Sequence, residues 1–151
     1  MQVTISIPQQ LLEVFHDGEC VFSVPCSSSQ FGLGTEEGSY RTPTGRFHIA
    51  EKIGQGQPLG AIFQSRQPTG QLWSPDNDST EEDLILTRIL WLAGDEPHNA
   101  NTQSRYIYLH GTNHEDRIGS PSSHGCIRLR NRDMMELFDL VEVLTPVHIL
   151  P

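Results

Sequence analysis

The chain of 151 residues predicts a mostly β fold with one helix near its C-terminus. Three observations carry that reading. Apolar residues alternate with polar ones in short runs interrupted by Gly and Pro, as in half-buried strands. Asp17-Gly18 sits between two apolar runs, and both residue types tolerate the positive φ of a tight hairpin turn. A single helical stripe occurs in 133–143, where Met134, Leu137, Phe138 and Val141 fall at i, i+3, i+4 and i+7. Short strands plus one amphipathic helix make a β-rich sandwich or barrel with a helical cover. A chain of this length buries roughly 70% of its unfolded surface, so one domain over 1–151 with an unstapled core is expected.

The elements follow in order. Val3, Ile5 and Ile7 alternate with polar neighbours and predict a first strand. Runs 11–15 and 20–24 flank His16-Asp17-Gly18-Glu19 and predict a hairpin. Residues 27–40 are small, polar and Gly-rich, and read as loop. Thr42-Pro43-Thr44-Gly45 is turn chemistry, and a strand is expected over 46–53. Much of the remaining Gly and Pro lies in 55–83, which reads as a long irregular region with room for short strands. Strands are expected over 84–92 and 105–110, with a polar loop over 93–104 between them. Helix 133–143 starts either at an Asp133/Glu136 capping box or at Asn131, and 146–150 closes the chain as a strand.

Composition excludes several classes. The net charge of −9 makes nucleic acid and anionic membranes poor partners. No stretch approaches the ~18 apolar residues of a spanning helix. The N-terminal segment has no basic region, apolar core or small-residue cleavage site, so a cytoplasmic protein is expected, unless this is a processed form. The cysteines are Cys20, Cys26 and Cys126; the odd count leaves at least one thiol free. Cys20 and Cys26 are an even number apart on one strand, so they should share a face, where they are poorly placed to bridge.

Chemistry concentrates in Ser123-His124-Gly125-Cys126. A thiol and an imidazole lie two positions apart beside a glycine that permits a tight turn. His110 lies sixteen positions before Cys126, at the end of the run Tyr106-Ile107-Tyr108-Leu109. A cysteine with a histidine in reach can form a thiolate, which is the nucleophile, and backbone N–H groups around Gly125 can hold an oxyanion. Cys126 is the expected nucleophile and His110 the expected base at a strand end; His124 either positions loop or substrate or bonds within the fold. A mixed zinc site at His110-x-x-x-His114 and His124-x-Cys126 is the chemical rival. That spacing gathers ligands on a helix face, and this segment reads as strand then loop, so no metal is expected. Arg105, Arg117, Arg128, Arg130 and Arg132 crowd the cysteine in an acidic chain. Guanidinium forks bind carboxylates, so Arg128 and Ser123 are the substrate-binding candidates, with Arg130 and Arg132 read as surface residues.

Taken together, Tyr40-Arg41-Thr42-Pro43-Thr44-Gly45-Arg46-Phe47, Leu109-His110-Gly111-Thr112 and Ser123-His124-Gly125-Cys126-Ile127-Arg128-Leu129, with the helix and final strand, resemble the L,D-transpeptidase catalytic domain family, the YkuD fold. The resemblance implies a β-sandwich-like fold with the cysteine at the end of a cleft. It implies Cys126 as nucleophile, His110 as base, and the backbone of His124, Gly125 and Cys126 as oxyanion hole. It also implies that the Gly111 carbonyl orients the His110 ring. Some members carry Asn where this chain has Arg128. The implied partner is a peptidoglycan stem peptide, with carbapenem-type inhibitors as covalent probes and no cofactor. The expected reaction is L,D-carboxypeptidase trimming of tetrapeptide muropeptides during cell-wall recycling. A cross-linking or exchanging L,D-transpeptidase is second, and a non-catalytic stem-peptide-binding module is the reading from another class.

Overall fold

The computed structural model describes residues 1–77 and 80–151. Ten strands run through it in one hydrogen-bonded mixed sheet. They are β1 (Gln2–Ser6), β2 (Leu11–His16), β3 (Glu19–Pro25), β4 (Gly45–Ile53), β5 (Ala61–Gln64), β6 (Gln67–Leu72), β7 (Ile85–Gly94), β8 (Tyr108–Gly111), β9 (Ile127–Leu129) and β10 (Pro146–Leu150). The helix α1 spans Asn131–Leu140. The order is β3-β2-β1-β10-β4-β7-β5-β6, with β8 on the other edge of β7 and β9 beyond β8.

The sheet branches at β7 because that strand is long and apolar. Its first residues pair with β5, its later ones with β4, and β8 takes the opposite edge. Buried along most of its length, β7 is apolar on either side of the buried pair Thr87-Arg88, as suits a central strand. The β4 and β8–β9 arms share one core, in which Val3, Ile5, Leu12, Phe47, Ile49, Leu90, Leu92, Leu109, Ile127, Val147 and Ile149 pack with Met134, Leu137 and Phe138 of α1, while Ala61 and Phe63 of β5 pack with Ile89 and Tyr108 in a second cluster. Two arms facing each other across a common core give the sandwich-like form.

Departures from expectation have local causes. The strand expected over 105–110 begins at Tyr108, because Tyr106 adopts a left-handed φ of 59° and Arg105 N–H turns back to Asn101 O at 3.0 Å. The 55–83 region contains the β5–β6 hairpin; its positions 78 and 79 lie outside the described residues. The 27–40 loop forms no regular strand but is bridged to Arg128 and Ser123 at Ser27 and Ser29. The helix starts earlier and ends earlier than its stripe predicts. Its N-cap is Arg130, so neither Asp133 nor Asn131 caps it; Glu115 Oε2 accepts the Asn131 N–H at 2.8 Å instead. Cys20 is exposed and Cys26 buried, against the expectation of a shared face. A register shift, in which Val14 pairs Phe22 while Phe15 pairs Cys20, inserts Val21 as an extra residue and reverses the alternation.

Candidate active site

β8 and β9 run parallel, with Leu109 opposite Ile127, His110 opposite Arg128 and Gly111 opposite Leu129. Leu109, Ile127 and Leu129 face the core. Side chains alternate across a strand, so Tyr108, His110, Cys126 and Arg128 belong to the other face. The fifteen intervening residues thus bring His110 of β8 and Cys126, immediately before β9, to the same side, one step apart.

His110 is buried, and its Nδ1–H donates to the Gly111 carbonyl at 2.6 Å. A carbonyl only accepts, so this bond fixes the tautomer and leaves Nε2 as the basic nitrogen. Burial lowers the His110 pKa; the Asp83 carboxylate and the Gly111 bond oppose that, and Arg128 adds to it. The ring is therefore neutral at rest.

Cys126 is half-buried beside Ala61, Phe63 and Tyr108. Its thiol donates to the Tyr106 carbonyl at 3.4 Å and accepts the Tyr108 N–H at 3.3 Å. Burial pushes the thiol up to about 12, against the Tyr108 N–H, which favours the thiolate. The resting site thus pairs a protonated thiol with a neutral imidazole, against the low-pKa thiolate expected, and Sγ is held by the backbone of Tyr106 and Tyr108.

The turn before Cys126 is built by Ser123, which is 0% exposed. Its hydroxyl donates to Cys126 O at 2.6 Å and accepts the Gly125 N–H at 3.2 Å. Gly125 takes φ 128°, which a side chain rarely adopts, and its carbonyl accepts the Thr42 hydroxyl at 2.9 Å. That bond gives the Thr42-Pro43-Thr44-Gly45 segment a structural role. It follows that Ser123 is sequestered and does not offer its hydroxyl to a ligand. Of the three backbone donors expected for an oxyanion, Gly125 N–H is already engaged. Those of His124 and Cys126 have no acceptor among the described residues.

Arg128 is a second correction. It is 1% exposed. Nη1 donates to Asp83 Oδ1 at 3.0 Å and to His114 Nδ1 at 3.2 Å, and Nη2 donates to Ser122 Oγ at 2.7 Å. A guanidinium so enclosed cannot meet a substrate carboxylate. His114, the other member of the His-x-x-x-His pair, is spent on Arg128. Among the described residues no cluster of His, Cys, Asp and Glu is arranged for a metal.

Asp83 has no counterpart in the sequence reading. Its Oδ2 lies 3.5 Å from Nδ1 of the exposed His124. Burial raises its pKa, but His110, which is protonated at the acid pH where a carboxyl titrates, the Arg128 charge, and hydrogen bonds from Arg128 and His124 hold the carboxyl below its ordinary range. Following Glu81 and Glu82, it is indistinguishable in the sequence from a solvated acidic run. The aromatic side chains at the cleft were equally hidden. Tyr40 and Tyr106 line opposite walls, both in the left-handed region at φ 58° and 59°, an uncommon state for bulky residues. Tyr40 and Phe31 pack around His124 with ring centroids about 6 Å apart.

The cleft at Cys126 encloses about 230 Å³ between the Glu37–Tyr40 segment and the Ser104–Ile107 segment, with His124 at its rim. A larger cavity of about 450 Å³ lies at the start of α1 beside Trp73 and Arg130, and does not include Cys126.

A buried, tautomer-fixed imidazole, a thiol on the same face, and two open backbone N–H groups in a cleft can carry out acyl transfer. This is the constellation of a cysteine acyl-transfer domain. Residues 1–149 match the model of the L,D-transpeptidase catalytic domain, and the chain belongs to that family. It is 29% identical over 176 aligned positions to the "Probable L,D-transpeptidase YbiS" of Escherichia coli, across 97% of this chain and 49% of that protein. L,D-transpeptidase 3 of Mycobacterium tuberculosis superposes with a TM-score of 0.62 at 19% identity, covering 99% of this chain and 60% of that one. An L,D-transpeptidase of Xylanimonas cellulosilytica gives 0.61 at 23%, covering 98% and 59%. These likenesses establish the fold. The chain spans about half the length of the curated relative it matches end to end. Among the described residues no helix is long and apolar enough to cross a membrane.

Proposed function

We propose that this domain cleaves peptidoglycan stem peptides by acyl transfer through Cys126, with water as the acceptor: an L,D-carboxypeptidase releasing terminal D-alanine from a tetrapeptide. The observation that carries the acyl-transfer reading is the placement of Cys126 and a tautomer-fixed His110 on one face of paired strands. Substrate entry displaces Sγ from Tyr106 O toward Nε2 of His110. The thiol proton passes to Nε2 and sulfur attacks the carbonyl carbon after the L-centre of the third residue. The oxyanion takes the N–H groups of His124 and Cys126. Collapse breaks the peptide bond, the leaving amine takes the proton from Nε2, and a thioester remains. Water then attacks, gives its proton to Nε2, and the second collapse returns that proton to sulfur and frees the tripeptide.

Hydrolysis is supported by the small cleft of about 230 Å³ at Cys126, which offers limited room for a second branch. A second reading, transfer to an amine with cross-linking or exchange, is favoured by Glu37, which lines the same cleft and suits an incoming ammonium. The names of the relatives point the same way. A cytoplasmic, recycling role remains part of the proposal. Carbapenem acylation is expected on the same thiol; a neighbouring fold, that of LdtMt1, was solved in complex with imipenem.

Incubation with a defined tetrapeptide and excess amine acceptor, read by mass, tests the reading. Tripeptide with free D-alanine is expected. Predominantly cross-linked or exchanged product promotes the transferase, and no turnover with intact binding promotes the non-catalytic module.

A further inference from the structure

We propose that Arg105 is the carboxylate anchor of the cleft: its guanidinium binds a free carboxylate of the acyl donor and so selects the substrate that Cys126 attacks. The inference rests on the acyl-transfer reading above and adds a recognition element to it.

Arg105 lines the cleft with Cys126. Its side chain reaches to the facing loop, where Nη1 donates to Gly34 O at 3.3 Å and Nη2 to Arg41 O at 2.8 Å and Ser39 Oγ at 3.5 Å. All three acceptors are neutral. They hold the group still without cancelling its charge. Among the described residues no carboxylate lies within 4.0 Å of it, whereas Arg117 pairs with Glu81 at 2.7 Å and Arg128 with Asp83 at 3.0 Å. Nε–H and one Nη1–H have no partner among the described residues. A fixed, partly desolvated guanidinium with two donors to spare can take a carboxylate oxygen in a charge-assisted hydrogen bond.

The surroundings support this. Burial lowers the Arg105 pKa, while Cys126 and Glu37 are the groups whose charge it feels. Arg105 shares the cleft with Cys126, which places it to hold a group attached to the scissile carbonyl. Arg66 lies over Trp91 and Tyr106 and donates to the Tyr108 hydroxyl, so it is spent on packing against those rings. The carboxylate has two sources in a stem peptide: the terminus of the leaving residue and the side chain of the diamino acid. Both present the same chemistry to Arg105.

The rival role for Arg105 is to stabilise the thiolate, and kinetics separate the two. Wild type, Arg105→Gln and Arg105→Lys are assayed on three tetrapeptides: unmodified, terminal carboxamide, and side-chain carboxamide. Thermal melts confirm that the variants fold. In wild type, one of the two amidations is expected to raise KM by about 10- to 100-fold, the worth of a charge-assisted hydrogen bond, and the one that does identifies the carboxylate. In Arg105→Gln the KM ratio of that amide to the acid should fall to near 1, with kcat little affected, and Arg105→Lys should restore part of it. A kcat loss of equal size on all three peptides, with the ratio preserved, overturns the proposal in favour of thiol activation. Calorimetric titration of Cys126→Ala protein with the same peptides reads recognition without turnover. If that protein discriminates acid from amide and Arg105→Gln abolishes the difference, the anchor stands even should wild type prove inactive. If it does not discriminate, the anchor fails while acyl transfer survives.

Discussion

Asp83 Oδ1 accepts from Arg128 Nη1 at 3.0 Å while its other oxygen lies 3.5 Å from His124 Nδ1. One carboxylate, brought in forty-five residues before Arg128, thereby ties the buried base of the β8–β9 pair to the exposed rim of the cleft. The link explains why arginine follows the cysteine by two positions here. Its charge answers Asp83 inside the protein rather than reaching into the cleft.

Removing that arginine leaves a mostly buried carboxylate with a single weak partner. Arg128→Ala is expected to cost about 3–5 kcal/mol of folding stability, the usual penalty for breaking a buried pair from one side. Arg130→Ala and Arg132→Ala, both exposed, should stay within about 0.5 kcal/mol of wild type. Urea midpoints of the three variants check this; a near-neutral Arg128→Ala would show the pair to be dispensable.

Two depressed pKa values give stability an acid dependence in two windows. The neutral His110 binds its proton more weakly folded than unfolded, so its contribution is complete above the unfolded value of about 6.5 and is lost as pH falls below it. Asp83 also has a lowered folded pKa, so its contribution is complete above the unfolded value of about 3.9 and is lost as pH falls toward the folded one. Stability should therefore rise with pH through each window. His110→Gln should remove the upper one and, by taking away a cation that lowers Asp83, narrow the lower one; Asp83→Asn should remove the lower one and, by taking away the carboxylate that raises His110, widen the upper one. Denaturation midpoints measured from pH 3 to 8 read both slopes, and identical profiles in wild type and His110→Gln would refute the burial argument.

The β ladder was legible because alternation and turn chemistry are local. Val3 and Ile5, the Asp17-Gly18 hairpin and the Met134-Leu137-Phe138 stripe each declare their element within a few residues. Helix ends and bulges were not, because tertiary contacts decide them: Glu115 reaches across sixteen residues to cap α1, and the extra Val21 reverses the strand's parity. At the site, the His110-Gly111 and His124-Gly125-Cys126 segments were legible as chemistry. Which side chains face solvent was not. The sequence favours Arg128 over Arg105 as the substrate-binding arginine, and only the fold buries Arg128 and leaves Arg105 in the cleft.

Gly111 allows a close approach that no other residue permits. A Cβ there would lie 2.3 Å from Asn131 Oδ1 and 2.8 Å from Leu86 O. Asn131 cannot yield easily, since its amide bonds Thr87 Oγ1 at 2.7 Å and Thr112 O at 2.9 Å. Gly111→Ala must push the β8 end off β7 or break that network, and either shift moves the carbonyl that holds the His110 ring. A stability loss of about 1–3 kcal/mol is expected, with turnover falling further than the fraction unfolded accounts for. Thermal melts paired with activity at a temperature where the variant is folded make the comparison; full activity in Gly111→Ala would exclude Gly111 from positioning the base.

The resting thiol makes a distinct kinetic forecast. With the Cys126 pKa at about 12 and Sγ held by Tyr106 O and Tyr108 N–H, alkylation by a small neutral reagent should be slow at pH 7. The rate should rise about tenfold per pH unit to pH 10 without a plateau, because only the thiolate reacts. Cys20 is exposed and reacts on its own account, so the assay uses Cys20→Ser protein with modification located by mass. His110→Gln should leave that profile largely intact, since the imidazole is neutral and not bonded to sulfur at rest. The same variant should slow peptide turnover and carbapenem acylation by about 10²–10⁴-fold, the range of a lost acid–base group, and Cys126→Ala should abolish both. Activation then belongs to the substrate complex, in which sulfur leaves Tyr106 O for Nε2. An alkylation plateau below pH 8 in wild type that disappears in His110→Gln would instead establish a thiolate–imidazolium pair before substrate arrives.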